Sequence, residues 1–466
     1  MPEPCQADLC YNRSRMGPPS ESAVCNMTNH PSNPAATNAR FHLSAWVAVL
    51  AALAYLCRNC VVVAEKTIRD DLGISEQQMA WILGPAFHWT YSIGQIPGGW
   101  LGERLGSRIC LPVLSILSAV GMFVFVLPGT VILFCTGRIT MAIAQAGMFP
   151  CAMHSLSRWH PQNERGIASG IMQAAMTSGS VVAAGLTASA LQILTWRTTF
   201  AIFAIPAIVW GGLFYLWFRD DPSEHPSVNE AELARIHEGR PQLPSGTATH
   251  VPWRRILTSY AMWMICGQHF FRGAAYSWFT SWFATYLQET RHISQEKSGW
   301  LLTIPTLAMF VAALGAGGLS DWVLRRTGSL GIARKGVSVV GLVICAILVM
   351  WSATITDATW ATCMIAVGSL FASFPGTCAY AVTMDVGGRH VGSVFSVMNT
   401  TGGLGVGLLT ILIPPAREYV KQTPWLLSLC GNESWHVLPL LTAITYLIAA
   451  LCWLCIPMKP IPLDDH

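Results

Sequence analysis

The sequence predicts an all-α membrane protein of twelve transmembrane helices, arranged as two pseudo-symmetric six-helix bundles. Three observations predict it. First, AVILMFWYC residues make up 52% of the 466 positions and charged residues only 11%, where a soluble domain carries about 25% charged. The deficit comes from runs of roughly 20 apolar residues, the length that spans a bilayer as helix. Second, the clusters Gly99-Trp100-Leu101-Gly102-Glu103-Arg104-Leu105-Gly106 and Gly317-Gly318-Leu319-Ser320-Asp321 each place Gly, Leu and a carboxylate at positions one, three and five. Basic residues follow, and Glu103 and Asp321 stand 218 residues apart. A charged hinge repeated once per half signals an internal duplication. Third, the basic residues are distributed as the positive-inside rule requires.

The apolar runs lie near 43–64, 77–100, 109–127, 130–157, 167–191, 196–218, 258–287, 298–319, 335–355, 358–384, 391–413 and 436–457. Backbone polar groups in lipid must be satisfied internally, so these runs are helices. With the N-terminus inside, eighteen of the 28 basic residues fall on inner segments and seven on outer loops. The remaining three, Arg58, Arg138 and Arg272, fall within the spans. The net charge of +4 therefore reflects topology, and no nucleic-acid partner is expected.

Residues 1–41, rich in Pro, Ser and Asn, read as a disordered cytoplasmic tail. Residues 42–218 form the first bundle, 219–257 a cytoplasmic inter-bundle loop, 258–457 the second bundle and 458–466 a second cytoplasmic tail. Within the loop, Pro226 to Gly239 suits a short amphipathic helix on the membrane surface. Asn432-Glu433-Ser434 is a glycosylation triplet on an outer loop. The fifteen cysteines are scattered and odd in number, which suggests neither a disulfide framework nor a metal site. No metal and no cofactor are expected. The spans contain no nucleophile–base set, so an enzyme is not expected.

The intramembrane arginines carry the functional argument. Arg58 lies 15 residues into the first span and Arg272 lies 14 into the seventh, so both sit roughly 21–22 Å from the inner surface. Arg138 enters from the other side to about 12 Å. A guanidinium at such depth needs a partner. No carboxylate lies well inside a span, because Glu65, Glu103, Asp321, Asp357 and Asp385 all stand near span ends. The partner is then an external anion, held by the fork of the guanidinium, or carbonyls, hydroxyls and water. Gln145, two turns past Arg138 on the same face, faces either that anion or another helix. His269 precedes Arg272 by three residues on one helix face and is the coupling candidate. Glu103 with Arg104, and Asp321 with Arg325 and Arg326, read as latches that bond helix N-termini and basic residues in one state and release them in another. The simpler alternative is a topology signal from the arginines.

Further motifs are Tyr55-Leu56-Cys57-Arg58, Tyr91 with Gln95-Ile96-Pro97-Gly98-Gly99, and Arg138 followed by Phe149-Pro150. Then come Trp159-His160-Pro161, Glu164-Arg165-Gly166, Trp196-Arg197 with Phe200, Asp221-Pro222 with His225-Pro226, and Asp385 and Arg389 before Asn399. On these residues the chain resembles the major facilitator superfamily over about 45–457, and within it the anion:cation symporter family. The resemblance implies an alternating-access carrier of small organic anions, such as sugar acids or other carboxylates. It implies that Arg58 holds the substrate carboxylate, that Arg138 and Arg272 are intramembrane anion-site arginines, and that Tyr55, Tyr91 and Asn399 line the cavity. Where proton-coupled members carry carboxylates, this chain has Cys57 and Gln145. Where a sugar-acid-contacting glutamine stands in the fifth span, it has Met176.

The expected protein is a monomeric multi-pass transporter of the plasma (inner) membrane with both termini cytoplasmic. The alternatives are an inorganic phosphate carrier and a transporter-like solute sensor. The hinge clusters in both halves favour movement over sensing.

Overall fold

A computed structural model describes residues 35–127, 131–238, 251–429, 431 and 433–462. Most of the first tail, the loop 239–250, Asn432 of the glycosylation triplet and the last four residues lie outside the described residues. Among the described residues there is no strand.

Ten described helices are long and apolar enough to cross a membrane. In order they are the first span (Ala39–Val63), third (Ser107–Val126), fourth (Val131–Trp159), fifth (Arg165–Ala190) and sixth (Trp196–Trp217). The second half supplies the eighth (Gln295–Thr327), ninth (Val337–Thr354), tenth (Ala358–Val386), eleventh (Val391–Gln422) and twelfth (Val437–Cys455). Two more helices fill the second and seventh places. The second is Pro85–Leu105, preceded by Glu76–Leu83. The seventh runs Tyr260–Ser277, widens through a π-helical turn at Trp278–Trp282 and ends as Phe283–Arg291. These two fall short in apolar length for a physical reason: His88, Tyr91, Gln95, Gln268, His269 and Arg272 give them a polar stripe.

The packing repeats with an offset of six. The first span packs on the fifth and sixth, the second on the fourth, and the third on the fourth and sixth. Likewise the seventh packs on the eleventh and twelfth, the eighth on the tenth, and the ninth on the tenth and twelfth. The two bundles meet through the fifth span against the eighth and the second against the eleventh, which are equivalent contacts under the same offset. Large apolar side chains such as Val113, Ile205, Leu213, Val340, Ile347 and Ile411 stand exposed on the outside. Such a surface suits lipid, and the chain is an integral multi-pass membrane protein.

The first and last described residues reach the same end of the molecule, here named the termini end. Asn38 and Arg40 at the start of the first span donate backbone N–H bonds to Glu232. Ile461 donates to the Val386 carbonyl at the foot of the tenth span. The short helix Glu230–His237 forms where the sequence places one, capped by the Asn229 side chain on the Glu232 N–H. Glu232 is fully buried and pairs with Arg40 at 2.6 Å, and Arg40 also pairs with Glu164 at 2.6 Å. Two helices outrun their expected limits. The eighth continues through the hinge to Thr327, and the eleventh passes Pro414-Pro415 to Gln422.

Candidate functional site: a two-arginine centre above an inter-bundle network

On the first-bundle side, Arg58 projects into a nest of rings. Its guanidinium lies 4.5, 4.8 and 4.6 Å from the ring centroids of Tyr55, Phe87 and Tyr91. Such cation–π contacts hold a charge without neutralising it. Its Nε donates to Gln145 Oε1 at 3.1 Å. The Gln145 amide nitrogen donates in turn to the Ala54 carbonyl and Ser118 Oγ, at 3.0 and 3.2 Å. Gln145 is thus engaged at both ends and aims Arg58. Arg138 stands one layer behind. It is 2% exposed, lies 4.3 Å over Phe87 and donates from Nη1 to the Arg58 carbonyl at 3.1 Å. Cys57 is buried, with its thiol against the Phe203 carbonyl.

On the second-bundle side, Arg272 and His269 share a face as their spacing requires, with Nη2 3.4 Å from Nδ1. His269 Nε2 lies 3.3 Å from Asn399 Oδ1. Tyr380, absent from the sequence-based set, packs 6.4 Å from the His269 ring and within electrostatic range of Arg58, Arg272, Tyr55 and Tyr91. It marks where the two halves converge. Gln173 also escaped the sequence reading. It lies one turn before Met176, reaches across the interface and donates to Thr377 Oγ1 at 3.3 Å. A Cβ on Gly376 would meet both Gln173 and Arg272, so the missing side chain leaves room for the guanidinium.

Arg58 Nη2 and Arg272 Nε are buried without a hydrogen-bond partner. Among the described residues, neither arginine forms an ion pair with a carboxylate. Arg138 Nε behind them is likewise unpaired, and burying such donors unpaired is expensive.

At the termini end the bundles are locked together. Glu103 accepts the Ser393 N–H at 2.6 Å and the Ser393 hydroxyl at 2.9 Å, and lies 3.1 Å from His390 Nδ1. Asp321 accepts the Gly166 and Ile167 N–H groups at 3.0 and 2.7 Å. Each hinge carboxylate thus sits on the N-terminus of a helix in the opposite bundle, where the helix dipole favours it. The cations that meet them differ from those the sequence suggested. Arg334, fully buried, bridges Asp321 at 2.8 Å and Asp385 at 3.1 Å, and Arg165 reaches Asp385 from the first bundle at 3.0 Å. Arg104 and Arg326 are exposed and lie over Trp100 and Trp322. Arg325, also exposed, donates to the Asn163 carbonyl at 3.3 Å. Ion pairs at the other end, such as Asp71–Arg197 and Glu289–Arg417, stay within one bundle among the described residues.

Comparison with known proteins agrees with this architecture. Residues 47–410 match the family model described as Major Facilitator Superfamily. A probable sulfoacetate transporter from Cupriavidus necator is 27% identical over 370 residues, covering 79% of this chain and 84% of that protein. A probable galactarate/D-glucarate transporter from Escherichia coli is 27% identical over 410 residues, covering 83% and 88%. An Escherichia coli D-galactonate transporter is 28% identical over 407 residues, covering 84% and 92%. Among solved structures, the proton:xylose symporter XylE superposes with a TM-score of 0.69 at 14% identity, covering 91% of this chain and 98% of that one. The transporter FucP in its outward conformation gives 0.62 at 16% identity, covering 89% and 96%. With the family model spanning most of the length and the offset-of-six packing repeated in both halves, the chain belongs to the major facilitator superfamily.

Proposed function

We propose that this chain is a secondary transporter of small organic anions, sugar acids or other carboxylates, working by alternating access as a monomer in the plasma (inner) membrane. The termini end faces the cytoplasm, where the positive-inside count puts it. One observation carries the reading. Each bundle contributes one arginine, Arg58 or Arg272, to a shared centre, and each keeps a buried donor without a partner. The named substrates of the relatives, sulfoacetate, glucarate and galactonate, are anions of this kind. The rings around Arg58 favour an organic anion over phosphate, because they offer apolar faces to a carbon skeleton.

In this arrangement the hinge network holds the cytoplasmic end shut while the centre faces the opposite side. Arg58 and Arg272 take the anion's charge, Tyr55, Tyr91 and Asn399 take its remaining polar groups, and Glu103 and Asp321 release when the bundles rock. Thermal stabilisation of the purified protein across sugar acids, dicarboxylates, sulfoacetate, amino acids and phosphate tests the reading. A rise in melting temperature with organic anions and none with phosphate is expected. A response to phosphate alone would make it a phosphate carrier, and binding without counterflow would make it a sensor.

A further inference from the structure

The second and eleventh spans meet along a ladder that climbs from the termini end to the two-arginine centre. Its lowest rung is Glu103 with Ser393 and His390. Next, Gly99 lies against Gly392 so closely that a Cβ would fall 2.5 Å from the Gly392 carbonyl oxygen. Above that, Asn399 Nδ2 donates to Gln95 Oε1 at 2.5 Å. At the top, the Thr400 hydroxyl donates to the Ser92 carbonyl at 3.0 Å. Gln95 is 1% exposed, and it comes from the opposite bundle to Asn399.

The direction of the bonds behind Asn399 follows from chemistry. Arginine has donors only. His269 Nδ1 therefore accepts from Arg272, its Nε2 carries the hydrogen and donates to Asn399 Oδ1, and the Asn399 amide donates onward to Gln95. A single chain of donors runs from the second-bundle arginine to an acceptor in the first bundle. Asn399 is at once the floor of the anion centre and a rung of the closed gate.

We propose that Gln95 is a positioning residue that keeps the gate shut by occupying the Asn399 donor a bound anion would take, so that substrate itself releases this rung. The inference rests on the anion-carrier reading above. A carboxylate or hydroxyl oxygen held near Arg272 competes with Gln95 Oε1 for the same N–H. A ligand shifts a conformational equilibrium only through differential interaction with its states. Here the difference is one cross-bundle hydrogen bond, present in the empty closed form and surrendered in the loaded one. An anion too short to reach Asn399 would bind the arginines and leave the gate closed, acting as an inhibitor.

Hydrogen–deuterium exchange of the full chain in detergent, read over 390–396, tests this. The probe is whichever of D-glucarate, D-galactonate and sulfoacetate stabilises the protein most. In the wild type, exchange should be slow without the probe and faster by about fivefold or more with it. Gln95→Leu should exchange fast without the probe and gain nothing from it, while binding the probe tighter by about fivefold or more, the factor no longer spent on opening the gate, and losing turnover. Gln95→Glu retains the acceptor and should be slow without the probe, and its melting temperature checks that the site tolerates substitution. Slow, wild-type-like exchange in unliganded Gln95→Leu would overturn the proposal, as would an undiminished response to the probe. If no probe changes wild-type stability or exchange, the anion reading falls, and the unliganded comparison still decides the rung.

Discussion

Arg138 and Arg58 are stacked in series: the Arg138 guanidinium donates to the Arg58 backbone carbonyl at 3.1 Å and presses on the same Phe87 ring. Arg138 therefore acts on the centre through Arg58. Replacing it with Ala removes a hydrogen bond from a charged group at a buried site, which costs about 1.5–3 kcal/mol. The expected outcome is a lower melting temperature for Arg138→Ala without ligand, with a weakened but measurable anion-induced shift. Arg58→Ala should melt near wild type and lose the shift. Identical behaviour of the two variants in thermal-shift titrations would place both arginines on the anion.

Asp321→Asn should slow turnover more than it weakens binding. Asp321 touches Arg334 and the N-terminal turn of the fifth span and lies at the gate, away from the arginine centre. Arg334 belongs to the same bundle as Asp321, so what distinguishes the closed-gate state is the pair of bonds from the Gly166 and Ile167 N–H groups across the interface, hydrogen bonds to a charged group being worth about 1.5–3 kcal/mol each. Initial-rate transport beside equilibrium binding separates the two effects. An unchanged rate would reduce the hinge to a topology signal.

His225 gives the termini end a pH dependence. Burial first, and then the Arg219 charge, hold its imidazole below the usual histidine range. Its Nδ1 also accepts the Ser227 N–H at 3.1 Å, which only the neutral ring can do. The unfolded chain then binds more protons than the folded one between the two pKa values, so stability rises with pH there. The contribution is present above about pH 6.5 and is lost as pH falls through that value toward the folded pKa. Melting curves from pH 7.5 to 5 should fall more steeply for the wild type than for His225→Gln, and parallel slopes would refute the assignment.

The sequence carries what depends on local spacing and hides what depends on approach between bundles. The offset between Glu103 and Asp321 exposed the duplication, and both carboxylates cap helices across the interface. Their cations could not be read in the same way. Arg334, Arg165 and His390 look like ordinary loop-end basic residues until the bundles close. The depth of Arg138 follows from counting residues at 1.5 Å each, but depth does not say which way a side chain points. Gln173 stands one helical turn before Met176, and its role shows only in the contact with Thr377 of the other bundle. The second and seventh spans show weak apolar signals because their polar faces build the centre.

Coupling is open to direct measurement. Cys57 is packed against a backbone carbonyl and Gln145 is engaged in aiming Arg58, so neither can replace a two-carboxylate proton relay. Transport by facilitated diffusion, exchange or membrane potential is expected, the last worth roughly 2.3 kcal/mol per charge per 100 mV. Uptake into proteoliposomes with a pH gradient and the potential clamped at zero should show no accumulation. Accumulation abolished in His269→Gln with exchange intact would assign the relay to His269. Accumulation that persisted would point to another ion or residue.

Counterflow in proteoliposomes loaded with D-glucarate, D-galactonate or sulfoacetate asks whether one anion bridges Arg58 and Arg272. Wild type should exchange at least one of them, and Arg58→Ala and Arg272→Ala should each be silent at normal reconstitution levels. Loss of either charge-assisted contact is expected to cost on the order of 2–5 kcal/mol of binding. Wild-type counterflow in either single variant would contradict the two-arginine site.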